Sequence, residues 1–322
     1  MTPEALTEID LPFPDRRDGK VRVSFALDGE HAGHRLFVTT DRLSAFDRIL
    51  AGVPYKGQVL NQLSAWWFEQ TADIVDNHIV SIPDPNVTIA RSATPLTVEV
   101  VVRGYITGVT DTALWTAYAR GERTIYGHTL PDGLVKNDPL PHPIVTPTTK
   151  GELGAHDIPI TCAEVVDGGY VDAELWERVQ TAALAVFERG AERGRDAGLI
   201  LADTKYEFGV ADDGTLLLID EVHTPDSSRW WVAESYDERH AAADEPESLD
   251  KEVVRRALAD VDFRGDGDIP ELPDDVWAAT TARYVDAYER LTGASFDHAD
   301  YPAGPRIRAA LAHLEPSSGA TT

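Results

Sequence analysis

A single cysteine, Cys162, among 322 residues excludes an internal disulfide and any metal site built from several thiolates. It reads as a small buried hydrophobe. Lysine is scarce as well, with six among 29 basic residues, and 55 acidic residues leave a net charge of −26. Such a surface repels nucleic acid and anionic membranes, so neither is expected as a partner. It also matches the acidic, lysine-poor surfaces of salt-adapted organisms. No run of 18 apolar residues is present, and no apolar stretch follows a basic start, so the chain reads as cytoplasmic. The phosphate-loop pattern GxxxxGK[ST] is missing, as is any internal repeat. On so negative a chain, anionic ligands need local basic pockets, which makes the few cations informative.

What is present centres on residues 199–231, where charged residues interrupt an apolar segment. Two β-rich runs, 199–210 and 215–222, flank the turn-forming residues 211–214 and predict a hairpin. Alternation puts Asp203, Lys205 and Glu207 on one face and Ala202, Thr204, Tyr206 and Phe208 on the other. A two-residue loop at Asp213-Gly214 would set Asp212 opposite Thr215 and Glu207 opposite Asp220. Two facing carboxylates call for a cation, and Mg²⁺ suits them. A loop one residue longer would turn Glu221 to that face instead, and a solvated polar face is the alternative. The turn 224–229 ends in Arg229, suited to bidentate capture of phosphate or carboxylate.

Gly19, Lys20 and Arg22 form either a phosphate-holding turn or an exposed hairpin tip. Asp41, Ser44 and Asp47 are available for substrate or for turn capping. Residues 58–69 have helical periodicity with a core stripe. Residues 81–95, broken by three prolines, are loop or edge. The valine-rich strand 96–105 carries Glu99 and Arg103 four apart, hence on one face, either as an internal ion pair or as a second wall of the charged site. A helix is expected around 112–120, with irregular chain after it. Residues 143–157, ending in Lys150 and His156-Asp157, read as a lid or a plain surface loop. Asp172 caps a long helix over 173–197, stopped by Gly198. Residues 238–247 read as a linker, a helix starting near Ser248 carries Arg255, and a last helix spans about 274–291.

The segments DGKVR, TTDRLSAFD, VEVVVRGYITG, TPTTK…HD, LADTKYEFG, IDEVHTPDSSRWW and DKEVVR resemble, in order and spacing, the SAICAR synthetase family, over about residues 15–290. The resemblance implies an α+β fold of ATP-grasp or kinase-like type. An N-terminal antiparallel sheet domain (1–104) and a larger sheet-and-helix domain (105–322) would flank the active-site cleft. It implies an ATP-dependent ligase of purine biosynthesis that joins carboxyaminoimidazole ribonucleotide (CAIR) to L-aspartate through an acyl phosphate, with ATP and Mg²⁺ and as a monomer or small homo-oligomer. A kinase or amide ligase acting on another acid, or a non-catalytic nucleotide-binding regulator, are the alternatives. By the same resemblance Lys20 and Arg22 contact ATP phosphates, Glu207 the ribose, and Lys150 the nucleotide. Glu99 and Asp220 hold the metal, with Asp220 also at the nucleotide. Arg103, Asp203, Ser227, Ser228, Arg229 and Arg255 bind the ribonucleotide. Lys205, Asp203 and Arg229 are the catalytic candidates, and Asp157, His156 and Lys56 are candidates for aspartate. Where several relatives follow RGYxxG with a serine, this chain has Val109, then Thr110 and Thr112, so a threonine is expected to substitute.

Overall fold

The computed structural model describes residues 3–46, 48–109, 113–150, 158–263, 265 and 267–314. The chain forms two units, one of Met1–Glu69, His78–Ala93 and Asp250–Thr322, the other of Gln70–Asn77 and Thr94–Leu249. This corrects the division at residue 104, which would cut a strand, Val98–Tyr105, whose backbone pairs with strands later in the chain. A central strand cannot leave its donors and acceptors behind, so the boundary falls before it.

The first unit opens with strands β1 (Arg17–Asp18), β2 (Arg22–Ala26) and β3 (His34–Thr39), and a small pair β4 (Arg42–Ala45) and β5 (Arg48–Gly52). Helix α1 (Lys56–Gln70) and strands β6 (Ile79–Asp84) and β7 (Val87–Arg91) follow. The antiparallel order is β1-β2-β3-β7-β6, which puts the Pro83-bearing strand at an edge, where a missing N–H costs no ladder bond.

In the second unit come β8 (Thr94–Pro95), β9 (Val98–Tyr105), α2 (Leu114–Ala119), β10 (Thr124–Ile125), β11 (His128–Thr129) and β12 (Pro139–Thr149). They are followed by α3 (Cys162–Asp167), α4 (Ala173–Asp196), β13 (Leu199–Val210), β14 (Leu216–Ile219), β15 (Ser228–Val232) and α5 (Ala233–Ala241). The sheet runs β12-β9-β13-β14, with β15 and β8 also paired to β13. The proline-rich segment read as a lid or a plain surface loop is, as far as Thr149, the edge strand β12, bulged between Pro139 and Ile144. Residues 151–157 of that segment lie outside the described residues. The expected linker at 238–247 is in its first part helix α5, because 233–241 carries strong helix formers and an acidic first turn.

Helix α4 covers the apolar face of this sheet. Asp172 caps it by accepting from Leu175 N at 2.9 Å, and Trp176, Val179, Ala183, Val186 and Phe187 form the buried stripe. Two glycines let the helix close on the sheet. A Cβ at Gly190 would stand 2.3 Å from His223 Cε1, and one at Gly194 2.6 Å from Trp230 Cζ3. Behind that contact Tyr206 Oη meets His223 Nε2 at 2.5 Å, and Trp230 Nε1 donates to His223 O at 3.0 Å.

The chain then returns to the first unit as α6 (Glu252–Asp260), α7 (Asp274–Thr292) and α8 (Ala303–Leu311). The last of these lies beyond the helix expected to be final. Its Ile307 and Leu311 join Val23, Phe25, Leu36, Val38, Val87 and Ile89, the inward-alternating residues of the five-stranded sheet, in one core. No helix among the described residues is long and apolar enough to cross a membrane.

Candidate functional site

The face of the second unit's sheet opposite α4 carries the charges. Along β13 the burial alternates as expected, with Ala202, Thr204, Tyr206 and Phe208 buried and Asp203, Lys205 and Glu207 half-buried. Strand β9 runs beside it with Asp203 opposite Arg103 and Lys205 opposite Val101. Strand β15 flanks the other edge, with Asp203 opposite Arg229. Asp203 is therefore set between two arginines by register alone. Its Oδ2 lies 2.5 Å from Arg229 Nη1 and 3.6 Å from Arg103 Nη1, and both Asp203 and Arg103 side chains are 13% exposed.

One step along the face, Lys205 Nζ donates to Glu99 Oε1 at 2.6 Å and lies 3.4 Å from Glu207 Oε1. Lys150, just past β12, reaches Glu207 Oε2 at 2.5 Å. Burial works against the Lys205 ammonium, but the charges of Glu207, Glu99 and Asp220 outweigh it and hold the pKa above the usual lysine range. Burial likewise opposes the Glu207 carboxylate, yet Lys205 and Lys150 keep it ionised and its pKa depressed. Eight charged groups, Arg103, Lys150, Lys205 and Arg229 against Glu99, Asp203, Glu207 and Asp220, thus balance to zero on a chain of net charge −26. The site is a neutral island of paired charges with local cations to offer an anion.

The hairpin register differs from the two-residue count. Glu207 faces Ile219 and Val210 faces Leu216, while Ala211 N donates to Thr215 O and Gly214 N to Ala211 O. The loop is three residues, Asp212–Gly214, closed by Gly214 at φ +83°, a left-handed position that suits glycine. Asp220 is consequently not the cross-strand partner of Glu207. It still acts on Lys205, because the strand ends at Ile219 and Asp220 itself takes φ +67°, which breaks the alternation. Glu221 accepts from Thr224 Oγ1.

That turn is self-supporting. Thr224 N donates to Ser227 Oγ at 3.1 Å and Ser227 N to Thr224 Oγ1 at 3.2 Å. Ser227 stays half-buried at the turn, but Ser228 does not reach the charged face. It is buried, and its hydroxyl shares a 2.7 Å hydrogen bond with Thr204 on the α4 side. Residue 228 alternates to the opposite face from Arg229, so its hydroxyl meets Thr204 rather than the guanidinium.

Thr146 was missed by sequence reasoning. Its Oγ1 accepts from Arg103 Nε at 2.9 Å and donates to Val101 O at 3.2 Å, fixing the guanidinium plane. Threonines two apart, at 146 and 148, were a usable signal of one strand face. Cys162 is half-buried and burial pushes its thiol up to about 11, which leaves no nucleophile there.

In the first unit, Lys20 and Val21 are the two-residue loop between β1 and β2, closed by Gly19 N donating to Arg22 O at 2.8 Å. Lys20 is exposed at the tip and Arg22 half-buried. Asp41 is fully buried and accepts from Leu6 N at 2.7 Å and Gly57 N at 2.9 Å, which makes it a structural cap. Lys56 is fully buried too, its ammonium 5.9 Å from the Tyr284 ring centroid. Arg255 lies on α6, 3.4 Å from Glu252. Asp47, Thr110, Thr112, His156 and Asp157 lie outside the described residues.

Among the described residues no three His, Cys, Asp or Glu side chains gather as a metal cage. Glu99 and Asp220 are two of the three carboxylates, with Glu207, that act on the Lys205 ammonium. That donor set fits Mg²⁺, which typically takes one or two carboxylates and completes its shell with phosphate and water.

Against known proteins, a family model described as SAICAR synthetase matches residues 15–271. A putative phosphoribosylaminoimidazole-succinocarboxamide synthase 2 of Agrobacterium fabrum is 47% identical over 312 residues, covering 97% of this chain and 98% of that protein. The phosphoribosylaminoimidazole-succinocarboxamide synthase of Legionella pneumophila is 48% identical over 304 residues, covering 94% and 95%. Among solved structures, SAICAR synthase from Saccharomyces cerevisiae complexed with SAICAR superposes with a TM-score of 0.78 at 32% identity, covering 91% of this chain and 100% of that one.

Proposed function

The chain belongs to the SAICAR synthetase family, ligases of purine biosynthesis, and from that premise we propose how its residues join CAIR to L-aspartate at the expense of ATP. A carboxylate is a poor electrophile, and phosphorylation converts it into an acyl phosphate that an amine can attack. Three anionic reactants must be held together, so the work is positioning and charge stabilisation. Arg229 and Arg103, both on Asp203, supply the fork geometry that captures the ribonucleotide. Asp203 orients them, and Ser227 borders the same turn. Lys205, held protonated by its carboxylate neighbours, is a fixed positive charge for the oxygens that gain charge during transfer. Lys150 and Glu207 serve the nucleotide, Glu207 as acceptor for the ribose hydroxyls. Lys20 and Arg22 are assigned to the ATP phosphates and Arg255 to the ribonucleotide. Glu99 and Asp220 would hold Mg²⁺ with the phosphates, where the ion neutralises charge. We further place the enzyme in the cytoplasm, which fractionation of the source cells checks.

The observation that carries this reading is the charge-balanced face itself, with three cations and three carboxylates brought together by the registers of β9, β13 and β15, Lys150 added from the end of β12 and Asp220 from the end of β14. An ADP-release assay with ATP, Mg²⁺, CAIR and aspartate, omitting each in turn, tests it. Release is expected to require all of them. Release indifferent to CAIR or to aspartate overturns it.

A further inference from the structure

We propose that Arg42 is a positioning residue for the Lys20–Val21 hairpin tip, shaping it to present its cations to the phosphates of ATP. The inference rests on the assignment of Lys20 and Arg22 made above and adds the residue that holds them.

Arg42 sits at the start of β4 and is 9% exposed, an unusual burial for a guanidinium. Burial lowers its pKa, in opposition to the nearby charges of Asp18 and Glu8. What its Nη2 finds is backbone. Nη2 donates to Gly19 O at 2.9 Å and to Arg22 O at 3.3 Å, the two residues that bound the tip. Its Nε donates to Thr40 Oγ1 at 3.1 Å. Thr40 completes the grip by donating to Val21 O from its N at 2.9 Å and its Oγ1 at 2.5 Å.

The carbonyls of Gly19, Val21 and Arg22 are thereby all engaged from the β4 side. A two-residue loop whose Val21 carbonyl and both flanking carbonyls are pinned on one side has few ways left to move. The entropy lost in ordering Lys20 and Arg22 around a polyphosphate falls before the ligand arrives. A carbonyl turned toward phosphate would repel it, and Arg42 and Thr40 hold three of them elsewhere. Burying a guanidinium is costly unless its donors are satisfied, and here the return on that cost is a fixed loop conformation.

The test is steady-state kinetics on the full chain with Arg42→Met, Arg42→Lys and Thr40→Val, beside Lys20→Ala and Arg22→Ala. Arg42→Met is expected to raise the KM for ATP about tenfold or more, the scale of lost charge-assisted bonds, with kcat and the other two KM values within about twofold. Arg42→Lys, which retains charge and one donor direction, is expected to recover part of the loss and keeps the test open if the methionine variant folds poorly. Arg42→Met combined with Lys20→Ala is expected to be less than additive, because a released tip without its cation has less to lose. Equal rises in all three KM values, or an unchanged ATP KM in Arg42→Met and Arg42→Lys while Lys20→Ala raises it, overturn the proposal. If neither Lys20→Ala nor Arg22→Ala changes the ATP KM, the phosphate assignment itself fails, and the role of Arg42 falls with it.

Discussion

Replacing Asp203 by Asn separates two accounts of the arginine pair. If Arg229 and Arg103 contribute only positive charge, removing the carboxylate between them strengthens the local field and tightens ribonucleotide binding. If Asp203 instead orients them, its loss frees two long side chains and weakens binding. The geometry favours orientation, since Oδ2 is shared at 2.5 Å with Arg229 and 3.6 Å with Arg103, and the Arg229 side chain is only 19% exposed. Exposed pairs are worth about 0–1 kcal/mol and breaking fully buried ones costs about 3–5 kcal/mol. At this partial burial about 2 kcal/mol is expected, or roughly 30-fold in kcat/KM for the ribonucleotide. A cycle of Asp203→Asn, Arg229→Met and the double variant, with ATP and aspartate saturating, measures it. A coupling near 2 kcal/mol is expected because either single change already disorders the fork. Effects that add within about 0.5 kcal/mol, or a KM that falls in Asp203→Asn, refute the orientation argument.

Asp220→Asn is expected to abolish turnover while leaving the far-UV spectrum and urea midpoint close to those of the parent; an unaltered rate removes Asp220 from the metal site. Lys205→Met leaves Glu99, Glu207 and Asp220 without the ammonium they act on and is expected to lower kcat by at least about 100-fold, measured by single-turnover ADP formation. Gly190→Ala places a methyl 2.3 Å from the His223 ring, so α4 must lift or the ring must turn; a loss of about 1–3 kcal/mol is expected from urea unfolding of the second unit, against about 0.5–1 kcal/mol gained if the site were open helix. Burial lowers the pKa of both His78 and His223 to about 3 from 6.5, so the folded chain holds them neutral where the unfolded chain protonates them. Their contribution is fully present above about pH 6.5 and is lost as pH falls toward about 3, by up to about 1.4 kcal/mol per pH unit for each. His223→Gln is expected to flatten that limb in urea midpoints measured from pH 7 to 4, and an unchanged slope contradicts the assignment.

Much of the site is legible in residue order because β-strand alternation has a period of two. Asp203, Lys205 and Glu207 needed no tertiary knowledge to share a face, nor did Glu99 and Arg103. The same rule read correctly would have put Ser228 opposite Arg229, on the buried side with Thr204. Long helices with a strong apolar stripe and a capping residue, as at Asp172, were equally readable. The edge strand β12 was not, because proline density argues against strands in general and only its place at the sheet margin makes it tolerable. Helix α8 escaped because nine residues carry little periodic signal, and its stability comes from docking Ile307 and Leu311 into a sheet far away in sequence.

By itself, the sequence determined which side chains are charged, which face of each strand they occupy and, through the motifs around LADTKYEFG and DEVHTPDSSR, the family. Tertiary structure decided which of those faces meet. Strand register put Asp203 between Arg103 and Arg229. A loop of three residues rather than two took Asp220 out of the pairing with Glu207, and its left-handed backbone turned it back toward Lys205. Local preferences are nearly degenerate between such loops, whereas burial of one whole face settles the register at once.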